Sequence, residues 1–139
     1  MTIKRDGLIA TLLLGLTAVL IVLQGLWAGL FLSTDPRSDS WIHLHDVGAW
    51  ATLLCALAAA AWVTIRLRSD RPVWFGSVLL VLVIAAEAHI GGRITDNGDD
   101  GLTAVHVPLA LILMGLSIWL PVRSARLVRT APRSAMLDS

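Results

Sequence analysis

Four stretches of this chain carry no charged side chain: 7–34, 47–65, 72–86 and 101–122. A helix that crosses the hydrocarbon core of a bilayer needs about 17–25 mostly apolar residues. The first, second and fourth runs reach that length alone. The third reaches it when Glu87 and His89 are taken inside the helix. At 139 residues, 56% hydrophobic and only 15% charged, the chain has too little polar surface for an ordinary soluble domain. Its mean hydropathy is +0.76.

The runs predict an all-α, integral membrane protein, a single membrane domain over 1–139. Its helices are expected at approximately 7–33, 41–66, 72–93 and 103–124, followed by a basic tail over 125–139. The first run is far longer than the about 7–15 apolar residues of a signal peptide, so it reads as a retained helix. The connections are short and rich in Pro, Gly, Asn, Asp and Ser, which favours antiparallel neighbours in an up-down-up-down bundle.

Basic residues set the expected orientation. Lys4, Arg5, Arg66, Arg68, Arg71, Arg123, Arg126, Arg129 and Arg133 all fall at one end, against Arg37 and Arg93 at the other. The positive-inside rule places the first group, with both termini, in the cytoplasm of a multi-pass cell-membrane protein. Attraction to anionic lipid accounts for the rest of that pattern. No nucleic-acid partner is expected. Trp41 at one boundary and Trp62, Trp74 and Trp119 at the other form an aromatic belt. Cys55 is the only cysteine, so there is no intrachain disulfide and no cysteine-based metal cluster.

The polar residues that the spans must tolerate are Gln24, His43, His45, Asp46, Glu87, His89 and His106. All map to the outer half, and the inner half reads as nearly free of polar side chains. Intramembrane ionisable groups usually face the bundle interior and mark function. The bland alternative is that they sit at the headgroup boundary.

The two halves of the chain echo each other. Asp35 precedes His45 by ten residues, and Asp96 precedes His106 by ten. Each histidine then opens an apolar helix. Upstream, "QGLWAGL" (24–30) loosely matches "EAHIGGR" (87–93). A tandem pair of two-helix units would put His45 and His106 at equal depth on the second and fourth helices.

Two imidazoles so placed bracket a planar macrocycle from both faces and give a six-coordinate haem iron. Gly48, with Ala49 and Ala51, allows a flat ligand close approach beside His45. Arg93 or Arg37 meets the propionates. His43 lies roughly 200° around the helix from His45 and faces elsewhere. Asp46 either complements the helix dipole or accepts a ring N–H. Gln24 supports the site from behind, or hydrogen-bonds Glu87 across the bundle. Trp27 and Trp50 either pack or line a pocket.

A second reading uses Glu87, His89 and further histidines, His43 among them, for copper or zinc. A third is a cofactor-free partner subunit, whose small residues Gly15, Gly25, Gly29 and Gly115 permit close packing, including a homo-oligomer.

The segments "LHDVGAW" (44–50), "AVHVPLALILMGLSIWL" (104–120) and "GGRITDNG" (91–98) together resemble one four-helix half of the heme A synthase family. The resemblance spans nearly the whole chain. It implies a haem-binding bundle with His45 and His106 as the axial pair. That family usually has eight helices, often with a glutamate where Ile42 stands, and many members carry paired cysteines. What the resemblance implies here is the haem-binding bundle and not haem oxygenation. The function expected is that of a b-type haem protein, in electron transfer or haem handling, with a redox or haem-biogenesis partner.

Overall fold

The computed structural model describes residues 2–36 and 38–130. Four long helices account for most of them: α1 (Thr2–Leu32), α2 (Asp39–Arg66), α3 (Arg71–Asn97) and α4 (Thr103–Thr130), with a 3-10 turn at Asp100–Leu102 before α4. All four are long and apolar enough to cross a membrane.

Local chemistry sets the ends. Asp70 caps α3 by accepting the Val73 N–H at 3.1 Å, and Pro72 stands where its missing N–H costs nothing. Gly98 closes the same helix at φ 71°, a conformation that penalises a side chain, and its N–H returns to the Arg93 carbonyl. The Asp70 N–H donates to the Leu67 carbonyl at 2.9 Å, making the tight turn between α2 and α3.

Three helices run longer than the apolar runs indicate. α1 starts at Thr2 and not near residue 7 because Asp6 is buried in its first turns. α3 continues to Asn97, beyond residue 93. The expected tail over 125–139 is helical as far as Thr130. Val128 packs against Gly7, and the Ser124 hydroxyl donates to the Gly7 carbonyl at 3.3 Å, so this turn is held on α1.

The helices form a four-cornered bundle. α1 packs on α2 and α4, and α3 packs on the same two, less extensively. Among the described residues no Cα of α1 comes within 8 Å of α3, nor any of α2 within 8 Å of α4. Those two pairs are therefore diagonals. Contacts between neighbours run in opposite chain order. Asp6 meets Arg66, Thr17 meets Cys55, and Gln24 meets His45. Likewise Asp70 meets Arg123 and Glu87 meets His106.

Large apolar side chains face outward along the spans while small hydroxyls are buried. Ile65 is 76% exposed and Leu111 70%, whereas Ser77 and Ser117 are 1% or less. The centre is built from Ala10, Leu14, Ala56, Ala59, Val63, Val73, Leu80 and Leu120, with small hydroxyls between them. Each of Thr17, Thr52, Ser77 and Ser117 donates to a carbonyl of its own helix, so none is left unsatisfied in a dry interior.

The arginine-rich end is not free of polar groups. Asp6 is buried there at 4% exposure, with both Arg66 Nε and Nη2 on its Oδ2 at 3.1 and 3.0 Å. Trp62 donates its ring N–H to the Asp6 carbonyl at 3.1 Å. Arg123 faces Asp70 at 3.5 Å. The expectation of an apolar inner half fails because acidic residues near two helix starts pair with arginines near two helix ends.

Packing is uneven along the bundle axis. It is closed at the arginine end. Toward the other end the last buried residues are Ile21, Gly48, Glu87 and Leu113. Beyond them, every helical residue described is at least partly exposed. This histidine end is open, and His45 and His106 lie just past the last closed layer.

Candidate functional site

Each of the two histidines leans on the preceding helix. His45 Nδ1 lies 3.1 Å from the backbone carbonyl of Gln24. A carbonyl only accepts, so this contact is a hydrogen bond in the tautomer with its proton on Nδ1, which leaves the Nε2 lone pair free. The Gln24 amide has its nitrogen toward α2, donating to the His45 carbonyl at 2.8 Å, while its oxygen accepts from the Ala49 N–H at 3.2 Å. That nitrogen also stands 3.1 Å from Nδ1, and its second N–H donates there in the other tautomer, so α1 engages Nδ1 in either. Phe31 closes on the imidazole edge-on, with ring centroids 5.6 Å apart.

His106 repeats the arrangement with a charged partner. Its Nδ1 stands 2.7 Å from Glu87 Oε2 on α3. The same nitrogen has no aligned hydrogen-bond partner, so the oxygen is close but off the direction of an in-plane N–H. The contact is electrostatic first. The far side of the ring, Cε1 and Nε2, faces Gly91, four residues beyond Glu87 on the same face of α3. A side chain at Gly91 would crowd the ring; its absence lets the imidazole lie against the helix.

Both histidines therefore have Nδ1 set against the preceding helix, and His106 has Nε2 beside Gly91. They stand on diagonal helices, His45 turned to α1 and His106 to α3.

The remaining sequence candidates divide clearly. Glu87 joins His106, and its Oε1 is buried with no hydrogen-bond partner. Gln24 joins His45 and not Glu87, because α1 and α3 are diagonal. Gly48 is buried, but the space it leaves is taken by Trp27 and the Gln24 amide of α1. Trp50 points outward, 65% exposed. His43 and Asp46 are exposed, and Asp46 makes none of the hydrogen bonds that hold either ring. Arg93 is exposed and committed to Asp99, through Nε at 2.9 Å and Nη2 at 2.7 Å. Arg37 lies outside the described residues.

The alternative metal constellation does not assemble. Among the described residues no three His, Cys, Asp or Glu side chains converge on a point that would hold an ion. His89 is exposed, on a shallow depression with Ala88, Gly92, Arg93, Asp96 and Asn97. Two residues of separation from Glu87 turn it to another face of α3.

Sequence reading found the histidines but not which residue holds each. The signal was present: the match of "QGLWAGL" to "EAHIGGR" sets Gln24 against Glu87, and the structure gives both the same task. Phe31 and Gly91 carried no such signal, since their parts depend on how neighbouring helices are rotated.

No protein-family model, curated protein or solved structure matches the chain.

Proposed function

We propose that this is an integral membrane protein that binds one b-type haem at its open end, in electron transfer or haem handling. His45 and His106 are the axial ligands in this reading. One observation carries it: two imidazoles on diagonal helices each have Nδ1 set against an oxygen of the preceding helix, at 3.1 and 2.7 Å. Metal-bound histidines almost always have their other ring nitrogen held in this way.

The residues fit the group. The donor set is two neutral nitrogens, suited to a low-spin haem iron. The interior stops being closed at the level of the two rings. When bound, haem supplies a one-electron carrier. The chain's own part is to fix two ring orientations, exclude water from the arginine end and hold the site near one face.

In this reading the bilayer is the solvent, and the positive-inside rule supports an arginine end and both termini in the cytoplasm of a cell-membrane protein. The haem end then faces outward, where a redox or haem-biogenesis partner meets it. The resemblance to half of the heme A synthase family agrees with this reading. The test is the absorbance of purified protein after haem loading. A Soret band with low-spin visible bands is expected, and no Soret band would defeat the proposal.

A further inference from the structure

Gln24 and Glu87 hold matching places in the two hairpins and differ in charge. Gln24 presents a neutral carbonyl to His45 at 3.1 Å. Glu87 presents a carboxylate oxygen to His106 at 2.7 Å. Its side chain is only 9% exposed, and its second oxygen has no hydrogen-bond partner. Among the described residues no lysine or arginine pairs with it, since Arg93 is held by Asp99. An uncompensated carboxylate in a low-dielectric layer acts strongly on whatever it touches.

We infer that Glu87 is a positioning residue that makes the two imidazoles electronically unequal, with His106 the stronger donor. The carboxylate, 2.7 Å from Nδ1, acts on the ring through its charge and pushes electron density toward Nε2. The neutral carbonyl on His45 does so far less. The Gln24 amide nitrogen, 3.1 Å from His45 Nδ1 and 2.8 Å from the His45 carbonyl, brings no net charge to the ring. The two rings thus differ in partner: the main-chain carbonyl of Gln24 for His45, the side-chain carboxylate of Glu87 for His106. The ring inequality belongs to the polypeptide alone. Its redox consequence, a lowered haem potential, rests on the haem reading above, because a richer axial donor favours the ferric state.

Nitrogen-15 NMR of histidine-labelled protein in nanodiscs, before haem is added, reads the rings directly. The expected result is a His106 Nδ1 resonance distinct from that of His45, moved toward it by Glu87→Gln and kept apart by Glu87→Asp, which retains the charge. His45 should stay in place in both variants. After haem loading, Glu87→Gln should raise the midpoint potential and Gln24→Glu should lower it. Unchanged His106 resonances in Glu87→Gln would overturn the inference whatever the haem spectra show. A ring change without a potential shift would overturn its redox half. Unequal rings in a protein that takes up no haem would uphold the inequality and defeat the haem reading instead.

Discussion

Glu87 of α3 stands 2.7 Å from His106 of α4, and Gln24 of α1 stands in the matching place beside His45 of α2. The other end of the bundle repeats the theme. Asp6 of α1 pairs with Arg66 of α2, and Asp70, at the start of α3, faces Arg123 of α4. Each hairpin therefore carries an ion pair at one end and a polar side chain against a histidine at the other. The two hairpins are not equal, since α1 packs more extensively on α2 and α4 than α3 does.

The two ion pairs should contribute unequally. Asp6 is buried and receives two arginine N–H groups, and a hydrogen bond to a charged group is worth about 1.5–3 kcal/mol. Asp6→Ala should destabilise the bundle by an amount in that range, read from denaturant unfolding in detergent. Asp70→Ala should cost about 1 kcal/mol, chiefly through the lost cap on Val73 N–H, because its arginine contact is longer at 3.5 Å. Equal stability of Asp6→Ala and the wild type would remove the arginine-end pair from the account.

Glycines separate in the same assay. A Cβ at Gly48 would run into Trp27 and the Gln24 amide, so Gly48→Ala must part α1 from α2. The expected loss is about 1–3 kcal/mol. Gly15 has nothing within 4 Å of the position a Cβ would take. Gly15→Ala should be neutral, or stabilising by about 0.5–1 kcal/mol from helix propensity. Reversal of that order would show that α1 packs on α2 differently.

How much of this was legible in the sequence follows from physical range. The four spans were visible because lipid demands apolar runs of a set length. His45 and His106 were visible because polar groups in such runs are rare. The exposed state of His43 and the parting of His89 from Glu87 followed from helical angles. What required the structure was helix rotation and adjacency. Charge patterning assigned Arg66 and Arg123 to topology alone, although each also meets an aspartate near a helix start. Gly48 reads as room for a ligand until Trp27 is seen to fill it. The extra turns of α4 rest on Ser124 and Val128 meeting Gly7, a contact more than a hundred residues away along the chain.

Orientation is open to chemical labelling. With Cys55→Ser as background, Ser69→Cys marks the α2–α3 turn, and Thr34→Cys and Asn97→Cys mark the connections at the histidine end. A membrane-impermeant maleimide added to intact cells should label residues 34 and 97 and spare residue 69. The opposite pattern would invert the assignment made from the basic residues.

The central claim is that His45 and His106 together ligate one haem iron. Electron paramagnetic resonance of the haem-loaded, oxidised protein tests it most directly. The wild type should give a low-spin ferric signal with one haem per chain, and His45→Ala and His106→Ala should each turn it high-spin or lose the haem. A low-spin signal that survives in both variants would contradict the account.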